Sequence, residues 1–101
     1  MTSNFDTVKL TGFQWDEGNL DHIRKHGVEY SECEEVFLNK SLIILFDEKH
    51  SKSEGRFKVF GVSSGGRKLA LAITIRKNKI RVVTARDQNR KEKLDLGGEI
   101  K

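Results

Sequence analysis

A run of residues with period-two alternation, beginning at Leu42, constrains the fold of this chain more than any other feature. Alternating apolar and polar side chains indicate strands with one buried face. The connections between these segments are too short for a helical crossover, so neighbouring strands should pair antiparallel. The continuous apolar run Leu42–Phe46 is typical of a central strand. The pattern predicts four successive strands: Leu42–Phe46, Arg56–Val62, residues 69–76 and residues 80–86.

Two helices are predicted before the first of these strands. Asp16 stands at an N-cap position, and Gly27 is the residue expected to end the first helix. Ser31 and Glu34 fit a capping box, which predicts that a second helix starts at Ser31. The predicted buried face of that helix consists of Cys33, Val36 and Phe37.

These elements predict an α+β fold, a small antiparallel β-sheet with two N-terminal helices packed on one face. Residues 13–15 alternate as a short strand would, and residues 88–96 are compatible with a short C-terminal helix. The predicted order is therefore β-α-α-β-β-β-β with that helix at the end. At 101 residues the chain should be one domain, with residues 1–10 as a loose arm and residues 97–101 as a frayed tail.

Charge, cysteine count and apolar runs exclude some classes of protein but do not identify a function. The formal net charge is +4 and the pI about 9.3, a basic bias compatible with nucleic acid or an acidic protein partner. Cys33 is the only cysteine, which excludes an intramolecular disulfide and fits a reducing cytoplasm. The N-terminus has no apolar signal core and the longest apolar run is too short to cross a bilayer, so we expect a cytoplasmic protein without a membrane partner.

Arginines in β-branched strands are the strongest sign of function. A half-buried guanidinium needs an anion, either a carboxylate of the same chain or a phosphate of nucleic acid. Strict alternation places Arg81 and Arg86 on opposite faces of the last strand, and they converge only if the strand bulges or ends before Arg86. The face opposite the helices should carry small and basic residues, namely Lys58, Ala70, Ala72, Arg76 and one of those two arginines.

The histidines offer a weaker signal. His22 and His26 are one helical turn apart, which is zinc-ligand spacing, but no third ligand has a compelling position, so no metal site is expected. His26 follows Lys25 at the predicted end of the first helix. Two interpretations stay open for it: a group that interacts favourably with the helix dipole, or an imidazole that moves a proton near a phosphate.

Several fragments together resemble the BrnT toxins, the toxin half of a bacterial type II toxin–antitoxin pair. They run in the same order and spacing from Phe13 to Glu92: Trp15-Asp16-Glu17, Lys25-His26-Gly27-Val28, Glu34-x-Val36-Phe37, Arg56 with Gly61, Ile80-Arg81-x-x-x-Ala85-Arg86 and Arg90-Lys91-Glu92. One departure is that family members often carry a tyrosine just after the Arg-Lys-Glu stretch. Here Lys93 and Leu94 follow it, and the only tyrosine is Tyr30.

The resemblance implies a RelE-like fold and a metal-independent ribonuclease that arrests translation, with no cofactor. It also implies a BrnA-like antitoxin with a ribbon-helix-helix DNA-binding element, so operator DNA would be contacted indirectly, through the antitoxin. The alternative is a non-catalytic module of the same type of operon, which only binds the antitoxin and acts as a DNA corepressor.

RNA cleavage without metal needs a base, charge stabilisation on the phosphate and an acid. We expect Arg56, Arg81 and Arg86 to clamp the phosphate, because the guanidinium fork matches two phosphate oxygens. His26 or Lys25 would assist proton transfer, with Glu92 as an alternative base. The residues expected to bind RNA outside the catalytic set are Lys58, Arg76, Arg90 and Lys91.

Overall fold

The computed structural model describes residues 12–39 and 42–96, the last of them in its backbone only. Within these ranges the structure is an α+β fold, which confirms the predicted class. The elements in chain order are α1 (Glu17–Arg24), α2 (Tyr30–Asn39), β1 (Leu42–Phe46), β2 (Arg56–Val62), β3 (Lys68–Arg76), β4 (Lys79–Asp87) and α3 (Arg90–Leu96). The predicted arm at residues 1–10 and tail at residues 97–101 lie outside the described residues.

The sheet is an antiparallel meander in the order β1-β2-β3-β4. The prediction that Leu42–Phe46 is a central strand is wrong, since β1 pairs only with β2 among the described residues. Its apolar composition reflects packing on both faces near an edge, where Leu45 and Phe46 remain about half exposed. The predicted strand at residues 13–15 is reduced to a single parallel bridge, Phe13 to Ile80, because the chain turns into α1 immediately afterwards.

The core lies between one face of the sheet and the helices α1 and α2. Ile23 of α1 and both Cys33 and Val36 of α2 are fully buried there, as the apolar spacing predicts. Burial raises the pKa of the Cys33 thiol to about 12, so this cysteine behaves as a small apolar core residue. The sheet contributes Phe57, Val59, Leu69, Leu71, Ile73, Ile80, Val82 and Ala85.

Local capping fixes α1, whereas the start of α2 differs from the prediction. Helix α1 ends at Arg24, and Gly27, with φ +71°, is the left-handed residue of the Schellman motif that closes it. In this motif the amide of Gly27 donates to the carbonyl of Arg24 and the amide of Val28 donates to the carbonyl of Ile23. Helix α2 begins at Tyr30 rather than Ser31. Glu34 does not close the predicted box, because its carboxylate accepts a hydrogen bond from the Trp15 indole at 2.8 Å.

Strand β4 contains a bulge, and this changes which side chains share a face. Ala72 pairs with Thr84 and Ile73 pairs with Val82, so Val83 is the extra residue. Before the bulge Arg81 lies opposite Thr74, and after it Arg86 lies opposite Ala70. Paired residues point to the same side of a sheet, so both arginines lie on the face opposite α1 and α2, which we call the open face. The prediction that only one of them would do so is wrong.

Asn19, a residue to which the sequence assigned no role, ties α1 to the bulged strand. Its side chain is buried, and its amide nitrogen donates to the carbonyls of Gln14 at 2.9 Å and Val82 at 3.1 Å. Its amide oxygen accepts from the backbone N–H of Asp16 at 2.8 Å, which completes the capping box of α1. One side chain therefore satisfies backbone groups in the cap, in the preceding segment and beside the bulge.

Replacing Asn19 by Asp should destabilise the protein by about 2 kcal/mol or more, because Asp keeps the acceptor but removes both donors and leaves buried carbonyls unsatisfied. Asn39→Asp is the matched control, since Asn39 makes one exposed bond to the Val62 carbonyl, and it should change stability by less than about 1 kcal/mol. Urea unfolding monitored by Trp15 fluorescence measures both. Equal effects of the two substitutions would contradict the role assigned to Asn19.

Candidate functional site

The open face carries cross-strand rows in which a small residue of β3 lies beside a basic residue of β2, of β4 or of both. One row runs from Arg56 through Thr74 to Arg81. The next row is two residues along the strands, roughly 6.5 Å away, and runs through Lys58, Ala72 and Thr84. A third contains Phe60, Ala70 and Arg86. The arrangement is a concave surface with an apolar centre and a basic margin.

A shallow hollow occupies the centre of this surface. Its volume is about 90 Å³, and its lining is Lys58, Phe60, Ala70, Leu71, Ala72, Thr84 and Arg86. It exists because alanine stands at two consecutive open-face positions of β3, where a larger side chain would fill the space. We refer to these seven residues as the hollow.

Arg86, at the rim of the hollow, is held by Glu92 of α3. Its two terminal nitrogens donate to the two carboxylate oxygens at 2.8 and 2.9 Å, a bidentate pair. Asn89 and Glu92 also cap α3 reciprocally through their backbone N–H groups. The hydrogen bonds from Arg86 hold the pKa of the Glu92 carboxyl below its usual value, so this carboxylate is ionised at neutral pH.

Arg81 is paired in a similar way at the other end of the face. Its guanidinium donates to Asp16 at 2.7 and 3.3 Å and to the side-chain oxygen of Gln14 at 3.3 Å. The side chain is only 17% exposed. The bonds from Arg81 lower the pKa of Asp16, the N-cap residue of α1. One carboxylate thus caps the helix and holds an open-face arginine.

Arg56 and Lys58 differ from the other cations of this face. Arg76 is bound by Glu54 at 2.7 and 3.1 Å, which lowers the pKa of that carboxyl. Across residues 12–39 and 42–96, no carboxylate lies within ion-pairing distance of Arg56 or Lys58. The alternative that arginines pair within the chain therefore describes Arg76, Arg81 and Arg86, whereas these two cations remain available to an external anion.

His26 and Lys25 are not brought together with these groups. They follow α1 on the helix side of the sheet, ten and nine residues beyond Asp16, which the helical rise converts to roughly 15 Å. The His26 ring faces that of His22, with centroids 6.3 Å apart. In the described part of the chain, no three histidine, cysteine or carboxylate side chains form a group suited to a metal ion.

The remaining residues predicted to bind RNA, Arg90 and Lys91, lie on α3. Arg90 and Lys91 are exposed on the first turn of α3, next to the Arg86–Glu92 pair.

Arg67, in the connection between β2 and β3, donates to Asp87, to Glu32 of α2 and to the Gly27 carbonyl. These bonds fix the helix pair to the strand ends. No local sequence pattern marks Arg67, because all three partners are distant in the chain.

A comparison with protein-family models matches residues 15–92 to the BrnT toxins, described as the ribonuclease toxin, BrnT, of a type II toxin–antitoxin system. The chain belongs to the BrnT family. The match covers the open face, the Arg86–Glu92 pair and both ends of α1. No curated protein matches the chain. None of the described helices is long and apolar enough to cross a membrane.

Membership in the BrnT family indicates two kinds of ligand for such a toxin, RNA and an antitoxin protein. A ribonuclease toxin of a type II system acts on RNA and has an antitoxin partner. A surface with a basic margin suits the phosphates of RNA, and the same surface suits an acidic segment of a protein.

The pairs Arg81–Asp16 and Arg86–Glu92 can be tested separately, because removing each arginine should raise the pKa of its own carboxyl partner and not that of the other. Arg81→Gln should raise the pKa of Asp16 toward its ordinary value of 3.8 and leave that of Glu92 unchanged. Arg86→Gln should raise the pKa of Glu92 toward 4.5 and leave that of Asp16 unchanged. Side-chain carboxyl NMR titrations of the wild type and both variants measure this. A carboxyl pKa that does not rise when its arginine partner is removed would contradict the pairing.

Proposed function

We propose that this BrnT family toxin is a metal-independent endoribonuclease that cleaves RNA on the open face of its sheet and thereby inhibits translation in the cytoplasm. The observation that carries the proposal is the bulge at Val83, which aligns Arg81 and Arg86 with Arg56 and Lys58 on one face. Four cations on a single concave surface are suited to a phosphate chain that crosses the strands.

Phosphate binding begins with Arg56 and Lys58, which form no direct ion pair with a carboxylate of the described residues. Arg56 offers a planar fork to two phosphate oxygens, and Lys58 offers a point charge two residues along the same strand. Arg81 and Arg86 are already oriented by their carboxylates, so they can meet the same chain with little further loss of side-chain freedom. Arg76, Arg90 and Lys91 extend the basic margin.

Glu92 is the best placed base. Its carboxylate is ionised and lies beside the hollow. When an incoming phosphate binds Arg86, one carboxylate oxygen of Glu92 loses its hydrogen bond to Arg86 and is free to accept a proton. That oxygen takes the proton of the 2′-hydroxyl, the 2′-oxygen attacks phosphorus, and the 5′-oxygen leaves with a proton from Lys58. The products are a 2′,3′-cyclic phosphate and a 5′-hydroxyl. His26 and Lys25 lie on the other side of the sheet, and we assign them no step.

Tyr30 does not replace the tyrosine that family members often carry after the Arg-Lys-Glu stretch. It stands at the start of α2 and packs edge-on against Trp15, with ring centroids 5.9 Å apart. This aromatic pair lies on the helix side, so the proposed chemistry of this chain depends on Glu92 and the cations instead.

The proposed partner is a BrnA-like antitoxin that covers the open face and blocks RNA. Its ribbon-helix-helix element would bind operator DNA, so the toxin would reach DNA only through the complex. Carboxylates of an acidic antitoxin segment could engage Arg56 and Lys58, the same cations that we assign to phosphate.

Removal of either Arg56 or Lys58 should greatly reduce cleavage. Arg56→Ala and Lys58→Ala should each lower kcat/KM by roughly 10²–10³, the usual cost of losing one group that stabilises developing charge. Arg24→Ala is the charge-matched control, because Arg24 pairs with Asp21 on the helix side, and it should stay within about threefold of wild type. End-labelled RNA in excess EDTA, with and without ribosomes, is the assay. Changes below about threefold for both open-face variants would contradict the site.

The same assay separates the two functions. Cleavage that persists in EDTA supports metal-independent catalysis, and activity restored only by added metal contradicts it. A folded wild type that binds antitoxin but leaves RNA intact in both formats would instead support the non-catalytic corepressor.

A further inference from the structure

We propose that the hollow is a binding subsite for one unpaired nucleobase, so that the preferred substrate is single-stranded RNA. This inference rests on the proposed function, because it assumes that RNA crosses the open face. It goes further in assigning a ligand to a part of that face that carries no charge, the alanine floor between Lys58 and Arg86.

The shape and lining of the hollow fit an aromatic ring better than a phosphate. At about 30 Å³ for one water in the liquid, a volume of about 90 Å³ corresponds to roughly three waters, which is the scale of a single flat ring. Ala70, Ala72 and the edge of Phe60 present carbon atoms, which would leave phosphate oxygens without partners but are suited to the flat face of a base.

Polar groups at the rim match the edge of a base. The Thr84 hydroxyl can donate or accept, and Lys58 and Arg86 supply donors on either side of the alanine floor. Such an arrangement binds the face of the ring in the apolar part and its carbonyl or ring-nitrogen acceptors at the margin. Paired bases in a duplex are stacked and cannot enter, so the site selects a base that is already unstacked.

The row of cations next to the hollow lies at a distance that suits a phosphate attached to the bound nucleotide. Arg56 and Arg81 lie one row further along the sheet, roughly 6.5 Å from the row of Ala72. A base in the hollow therefore places one flanking phosphate on the side of Arg56 and the other on the side of Arg86 and its partner Glu92. The hollow would thus set which phosphodiester bond lies against the catalytic groups.

The chain contains three alanines, which allow a direct test by methyl NMR. Ala70 and Ala72 line the hollow, whereas Ala85 is buried in the core on the opposite face. Full-length protein labelled at alanine methyls is titrated with the four nucleoside 5′-monophosphates, and with ribose 5-phosphate as the ligand that lacks a base. We expect at least one nucleotide to shift the Ala70 and Ala72 signals saturably, while Ala85 stays fixed and ribose 5-phosphate has no effect.

Equal shifts with ribose 5-phosphate, no shifts at the hollow, or shifts that include Ala85 would each overturn the proposal. The readout does not involve cleavage, so its failure is distinguishable from failure of the proposed function. RNA cleavage that depends on Arg56 would survive a negative result here, and nucleotide binding in the hollow would survive a negative cleavage assay.

A second measurement uses a variant that fills the hollow. Ala72→Leu should weaken binding of an unstructured oligoribonucleotide by about tenfold or more, the range expected for one lost base-stacking contact. Ser64→Leu adds the same bulk in an exposed turn and should leave affinity unchanged. Thermal unfolding establishes that both variants are folded. Equal affinity of the folded Ala72→Leu protein and wild type would overturn the assignment.

Discussion

The extra residue in β4 is the constraint on which the rest of the structure depends. Without the bulge at Val83, a strand that keeps Ile80 and Val82 in the core would turn Arg86 toward the helices. With it, the core alternation resumes at Ala85, and the arginines on either side of the bulge share the open face. Asn19 of α1 secures this arrangement through the carbonyl of Val82, so the helix layer and the basic surface are built by the same contact.

Carboxylates at both ends of the open face hold its arginines in place before any ligand arrives. Asp16 and Glu92 each accept two bonds from a guanidinium, and each carboxylate also accepts a backbone N–H at the start of a helix, from Asn19 and Asn89 respectively. Both pairs are partly accessible to solvent, so an anion with comparable geometry can reach the arginine and replace the carboxylate. RNA phosphate and an acidic antitoxin segment both meet that requirement, which links catalysis and inhibition to one surface.

Much of the fold follows from local patterns. Alternation predicted β2 and β3 with the correct faces, and Gly27 predicted where the chain leaves α1. The edge position of β1 was not predictable in this way, because an apolar run reports burial and not which neighbour provides it. The bulge was also hidden, since Val83 is as suitable for a regular strand as Val82.

The candidate site was predictable in residue type but not in geometry. The alternation singled out Arg56, Lys58, Arg81 and Arg86, and all four lie on the open face. Their partners were not visible, because Arg81 meets Asp16 across 65 residues of sequence and Arg67 meets Glu32 across 35. His26 appeared attractive because histidine often transfers protons, but the sequence does not show on which side of the sheet a helix ends.

The central claim is that RNA binds the open face assembled by the bulge. Its most direct test is an NMR titration of the arginine Nε–Hε signals with an oligoribonucleotide whose 2′-hydroxyls are methylated, so that binding occurs without cleavage. The account predicts shifts at Arg56, Arg81 and Arg86, with Arg24 and Arg67 on the helix side unaffected. Shifts confined to Arg24 and Arg67 would place RNA on the helix layer and contradict the account.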